Sequence, residues 1–180
     1  MVPRVYDNDV YANNTENFAA PGTAVSGVPK GSGVLINSND KVEIFANRIH
    51  DNDTANIVIS SYFSANYAGQ RELAESFDPY PEDIYIYDNT FNGGGKLPGT
   101  DQLTALRDAV YGPEGALPDI LWDGITNPNN EPGTQVICVN NGDAELLSID
   151  AGNEYANPGV DMAAHQCEVA KLSPVTLGAR

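Results

Sequence analysis

The sequence predicts a mostly-β fold in which short strands stack in parallel, coil upon coil, with a single helix attached. Three observations predict it: a composition rich in turn formers, a ten-residue pattern that recurs three times, and a finer strand match at a shift of 23 residues. Gly (17), Pro (12) and Asn (19) are abundant while charged residues make up only 19%, which excludes helix bundles and coiled coils and favours short strands between many turns. A chain of 180 residues suffices for one domain or two small ones. Nine Lys+Arg stand against 25 Asp+Glu, and the net charge of −16 repels a phosphate backbone, so no nucleic-acid partner is expected. No apolar run approaches the roughly 20 residues that cross a bilayer, and the opening MVPRVYDNDV lacks the basic-then-apolar layout of a secretory signal.

The pattern occurs as RVYDNDVYAN from Arg4, EIFANRIHDN from Glu43 and YIYDNTFNGG from Tyr85. Superposed, the copies align Val5, Ile44 and Ile86; Tyr6, Phe45 and Tyr87; Asn8, Asn47 and Asn89; and Val10, Ile49 and Phe91. Stacked at the strand spacing of about 4.8 Å, the aliphatic sets become inward columns and the aromatic set a stack. The Asn set falls at a bend where each amide bonds its neighbours above and below. Gly33 to Ile36 matches Asn56 to Ile59 at the 23-residue shift, a length that suits one coil of three short strands. The longer spacings of 39 and 42 residues between copies then reflect loops inserted near 18–30 and 64–81.

After Gly95 the period changes. Leu103, Leu106 and Val110 at helical spacing, a Thr or Asp in N-cap position and Gly112-Pro113 as a stop predict a helix over 100–111. Strand candidates follow at 119–122, 135–139 and 144–149, the last after the turn Asn140-Asn141-Gly142. Residues 1–150 form the predicted stack, and 151–180 an extended tail draped over it.

Over residues 5–150 these motifs resemble the right-handed parallel β-helix proteins with an Asn-x-Ile-x-x-Asn repeat, grouped with the pectate-lyase-like solenoids, and are most similar to a bacterial family of exported parallel β-helix repeat proteins. The resemblance implies an all-β, right-handed parallel β-helix and an extracytoplasmic location, periplasmic or secreted. It does not imply one activity, because the scaffold carries lyases, hydrolases, epimerases and inert modules alike. An oxidising compartment suits a disulfide between Cys138 and Cys167, with two reduced thiols as the alternative. A β-helix needs its ends covered, and nothing ahead of Arg4 reads as a cap. The expectation is a piece of a longer exported protein, or a homodimer through the uncapped N-terminal coil.

Candidate chemistry gathers on one face. Arg48 and His50 flank inward Ile49, beside Asp9 and Tyr11 in the coil before and Thr90 and Asn92 in the coil after. An Arg to neutralise a uronate and a His or Tyr to move a proton make Asp9, Tyr11, Arg48 and His50 the catalytic candidates on a polysaccharide; a plain solvated sheet surface has the same composition. Tyr62, Tyr67 and Tyr80, with Phe63 and Phe77, are candidates for stacking on sugar rings, with Asn92 as a polar substrate contact; anchoring of the loop is the alternative. Trp122 reads as core. Asp51 and Asp53 are hard oxygen ligands for Ca²⁺, and turn chemistry accounts for them equally well. The functional expectation is a domain that binds or processes an extended carbohydrate. A non-catalytic structural or protein-interaction module and a hydrolase acting on another substrate are the alternatives.

Overall fold

A computed structural model describes residues 3–23, 25–64, 73–131, 133–134 and 136–173 of the chain. Strands arrive in sets. The first set is β1 (Arg4–Tyr6), β2 (Asp9–Tyr11) and β3 (Ser32–Asn37), and the second is β4 (Val42–Phe45), β5 (Arg48–His50) and β6 (Ala55–Ser60). The third is β7 (Ile84–Tyr87), β8 (Thr90–Asn92) and β9 (Ile120–Trp122), with helix α1 (Asp101–Tyr111) between its last two strands. β10 (Ile137–Asn140), β11 (Leu146–Ser148) and β12 (Gly159–Val160) follow. One parallel sheet runs β1-β4-β7-β10, a second β2-β5-β8, and a third β3-β6-β9-β11 with β12 added antiparallel at its edge. The fold is therefore predominantly parallel sheet with one helix.

The registers are those the repeat predicts. Val5 pairs with Ile44 and Ile44 with Ile86; Val10 pairs with Ile49 and Ile49 with Phe91; Val34 pairs with Ile57. These residues share one core with Ile36, Ile59, Ile84, Ile120, Ile137, Val139 and Leu146, contributed by all three sheets. Burying a large aliphatic side chain contributes roughly 1.5–3 kcal/mol, so the β-branched columns are the principal source of stability.

Corners between strands repeat as well. Asp7, Ala46 and Asp88 adopt left-handed φ angles of 55°, 53° and 54°, and the following Asn closes the bend. Asn8 Nδ2 donates to Asn47 Oδ1 (2.9 Å), Asn47 Nδ2 to Asn89 Oδ1 (2.9 Å) and Asn89 Nδ2 to Asn141 Oδ1 (3.0 Å), so each amide satisfies the next. Tyr6, Phe45 and Tyr87 stack beside this ladder with ring centroids 5.0 Å apart at each step. At the next corner Ala12, Asp51 and Gly93 are left-handed, and Asn13 Nδ2 donates to Asn52 Oδ1 at 3.1 Å. The turn Asn140-Asn141-Gly142 is a corner between two sheets, since β10 and β11 pair with different neighbours.

Helix α1 starts where expected, with Thr100 Oγ1 accepting from the Leu103 N–H at 3.2 Å, and ends at Gly112, whose N–H donates to Asp108 O. Leu103 and Leu106 pack on the outward side of the third sheet against Leu117, Leu121 and Leu147. Val110 does not join them: it is 41% exposed, and Arg107 is buried in the helix instead, its guanidinium bonded to Lys96 O and Asp108. The connection back to β9 passes close over the stack at Gly95, where a Cβ would overlap Leu117 O and φ is +71°.

Residues beyond 150 are less extended than expected. Short 3₁₀ turns at Ala151–Asn153 and Met162–Ala164 flank β12, and the chain then crosses the first sheet. His165 is buried with its Nδ1 3.0 Å from Ile137 O, and Cys167 forms the disulfide with Cys138. Lys171 lies over the Tyr87 ring at 4.2 Å, and the Leu172 N–H donates to Glu43, itself buried and ion-paired with Arg4 at 2.8 Å.

Candidate functional site

Parallel pairing of β2, β5 and β8 brings the proposed catalytic residues together. Arg48 sits beside Asp9 in register and engages it through two bonds, Nε to Oδ1 at 3.0 Å and Nη2 to Oδ2 at 2.9 Å. His50 lies next to Tyr11, whose ring stacks on the imidazole at 5.1 Å and 7°. Its two nitrogens each face a carboxylate: Nε2 is 3.1 Å from Asp9 Oδ1 and Nδ1 2.7 Å from Asp51 Oδ2. Carboxylates only accept, so both contacts are hydrogen bonds when each ring nitrogen carries a proton. Hydrogen bonding from Arg48, with its positive charge, holds the Asp9 carboxyl below the usual aspartate range; Asp9 raises the Arg48 guanidinium in turn.

This constellation is satisfied within itself and lines none of the described cavities. Asn92 extends it by one strand, pairing with His50 and exposed to solvent. Asp51 spends one carboxylate oxygen on His50, and the Asp53 N–H donates to Asn14 Oδ1. Among the described residues no group of three or more His, Cys, Asp or Glu is arranged to hold a metal ion.

The aromatic candidates chiefly pack on one another. Tyr62 meets Phe63 and Phe77 edge-on at 6.1 and 5.6 Å, and Phe63 tilts against Tyr80 at 5.5 Å. Tyr67 lies outside the described residues. Trp122 is core, packed with Ile59 and edge-on to His165.

A cavity opens elsewhere, on the outward side of the third sheet, where a trough of about 630 Å³ runs across the strands. Its floor is two rows set by strand register, an aliphatic one of Leu35, Val58 and Leu121 and a polar one of Asn37, Ser60 and Asp123. The Asp123 carboxylate accepts from the Ser61 N–H and the Ser64 hydroxyl, both at 2.6 Å, which fixes the polar rim. The start of α1 (Thr100, Leu103), the loop carrying Glu16 and Lys30, and Phe63 and Tyr155 form the walls. Phe63 and Tyr155 are 46% and 39% exposed, so aromatic surface is available there. The loop wall is held by Lys30 Nζ to Glu16 at 2.5 Å and by Asn17 Nδ2 to Val25 O and Val28 O.

Of the trough, the sequence marks Phe63 as a stacking candidate, reads Trp122 as core, and places Thr100 and Leu103 only as the start of the helix. Its floor alternates with core residues along β3 and β6, which is the visible signal, but Tyr155 and Glu16 reach it from segments with no period. Comparison with protein-family models, curated proteins and solved structures returns no match.

Proposed function

We propose that the chain is an exported, right-handed parallel β-helix whose trough binds an extended, uncharged carbohydrate polymer without turning it over. In-register succession of β1, β4, β7 and β10, with β2-β5-β8 and β3-β6-β9 alongside, supports the β-helix reading. The near-universal right-handedness of parallel crossovers supports its hand. The Cys138–Cys167 disulfide supports an oxidising, extracytoplasmic location, and no helix among the described residues is long and apolar enough to cross a membrane.

The observation that carries the binding reading is the trough itself. An aliphatic row beside a row of amide and hydroxyl groups matches a sugar chain, which offers C–H faces and hydroxyl edges along its length, while Asp123, buried and engaged by Ser61, Ser64 and Ile125, holds the end of the polar row in place. Phe63 and Tyr155 supply stacking surfaces at the walls. The assembled Asp9–Arg48–His50–Tyr11 cluster favours a second reading, turnover, but both His50 nitrogens are engaged and Arg48 is committed to Asp9.

Trp122, the single tryptophan of the chain, faces the core on the opposite side of β9 from the Leu121 floor, so occupancy is read by isothermal titration calorimetry. Titration with neutral and acidic polysaccharides, with and without Ca²⁺, should give saturable binding of a neutral polymer. Tyr155→Ala should weaken it about tenfold, the loss of one stacking contact of roughly 1.4 kcal/mol. Undiminished binding in Tyr155→Ala with Phe63→Ala would remove the trough from consideration. Product release that disappears in folded His50→Ala would establish the second reading.

A further inference from the structure

We propose that Asp150 is a positioning residue: it holds the loop after β11 in a strained turn that presents the Tyr155 ring, already ordered, as a stacking surface on the trough wall. This role rests on the trough reading of the site and deepens it. Among the described residues, left-handed residues other than glycine otherwise occur singly, whereas Glu154 (φ 51°) and Tyr155 (φ 61°) follow one another. The Ala156 N–H donates to Asn153 O at 3.0 Å, so Asn153–Ala156 is a turn of type I′, with both central residues left-handed. Such a turn selects Asn followed by Gly, because a Cβ at either centre crowds the backbone. Here the centres are a glutamate and a tyrosine. Tyr155 lines the trough and keeps 39% of its surface exposed, so the strain does not serve to bury its ring in the core.

Asp150 enforces the turn from both sides. Its carbonyl accepts from the Asn153 N–H at 3.1 Å and from the Tyr155 N–H at 3.0 Å. Its Oδ2 accepts from Asn153 Nδ2 at 3.2 Å and from the Asn157 N–H at 3.1 Å, tying the residue that opens the turn to the chain that leaves it. The base of the loop is fixed as firmly. The Ile149 N–H donates to Trp122 O and the Ala151 N–H to Asp123 O, both at 2.8 Å. The loop that carries Tyr155 thus springs from the rung at which the polar row of the trough ends.

Consecutive left-handed residues with side chains persist only where their surroundings over-determine them, and strain of this kind collects at ligand sites. A free wall loop would lose freedom when its ring stacked on a ligand; a ring ordered in advance avoids that loss.

Isothermal titration calorimetry with galactomannan, xyloglucan and dextran, on the unmodified chain and on variants, tests this role. Asp150→Gly removes the carboxylate and leaves its own left-handed backbone (φ 53°) unstrained. It should weaken the polymer that the unmodified chain binds by about five- to tenfold, with a melt lowered by less than about 4 °C because strain is released with the lost bonds. Asp150→Asn keeps an acceptor for the Asn157 N–H and should bind within about twofold of the unmodified chain. Residue 154 does not line the trough, so its substitutions report on the backbone. Glu154→Asn added to Asp150→Gly should recover most of the affinity, because Asn suits the first centre of this turn; Glu154→Gln, which removes the same charge, should not. Full-strength binding by Asp150→Gly, while Tyr155→Ala loses affinity, would overturn the proposal and leave the trough reading in place. So would failure of Glu154→Asn to recover binding, or equal recovery by Glu154→Gln. Binding unaffected by Tyr155→Ala with Phe63→Ala, or no binding of any of these polymers by the unmodified chain, would overturn both.

Discussion

Replacing Asn47 by Ala tests the ladder where it is most enclosed. Asn47 is 3% exposed, and its Nδ2 donates to Val5 O, Phe45 O and Asn89 Oδ1, each at 2.9 Å. Its Oδ1 accepts from the Asn8 backbone N–H at 3.1 Å and from Asn8 Nδ2 at 2.9 Å. Nδ2 has two protons, one of them shared between acceptors, so with the two bonds to Oδ1 alanine removes four bonds and leaves interior partners without a replacement. At roughly 1 kcal/mol net per bond the loss is about 4 kcal/mol. For a domain of this size that lowers Tm by about 8–16 °C. Asn8→Ala, at the exposed end, removes only bonds that water replaces and should cost about 1 kcal/mol. Far-UV circular dichroism melts and urea titrations of the two variants measure the difference. If Asn47→Ala cost no more than Asn8→Ala, the amides would not be acting as a cooperative interior ladder, and the stability assigned to the corners would be misplaced.

Removing the disulfide with Cys138→Ser and Cys167→Ser should cost about 3 kcal/mol by loop closure, and limited proteolysis should then cut the segment after residue 160 before the sheets melt. Asp119 is held above its ordinary value chiefly by burial, against the Asn56 amide bond that lowers it. Its ionised form therefore opposes folding above the raised folded value, a cost that vanishes as pH falls below 3.8. Asp119→Asn, which keeps an acceptor for Asn56, should melt higher than the parent at pH 7, with the gap closing in acid; an unchanged gap at both pH values would contradict the assignment.

How much of this was legible depended on whether a residue repeats. Val5, Ile44 and Ile86 announce themselves because successive strands of the first sheet each place an aliphatic side chain inward at the same register, and Asn8, Asn47 and Asn89 because each bend needs the same amide. The fourth rung, Asn141, was hidden because its corner is one residue shorter: Tyr87 pairs with Asn140, yet the ladder bond from Asn89 goes to Asn141. The ladder of Asn13 and Asn52 is masked in the sequence for a related reason. The corresponding residue in the third copy is Gly94, where a Cβ would come within 2.7 Å of Asn52 O, so the amide is interrupted after two rungs. Val110 shows the limit of helical spacing, which marks a face without saying how wide the supporting sheet is. The trough was least visible, since its walls come from loops at 16–30, 63–64 and 149–155 that share no period.

Charge decides between polymer classes more firmly than the trough's shape does. Of the nine Lys and Arg residues, Arg4, Lys30, Arg48 and Arg107 are tied to Glu43, Glu16, Asp9 and Asp108, and Lys171 rests on the Tyr87 ring. Carboxylates thus greatly outnumber the cations left to balance them. An acidic polysaccharide would approach a surface of its own sign, and the only cation bordering the trough among the described residues, Lys30, is already paired with Glu16. A neutral polymer meets no such barrier, so its affinity should change little between low and high salt. A uronate polymer should be admitted only when salt screens the surface. Tight binding of a uronate polymer at low salt would place recognition at a cationic surface other than this trough.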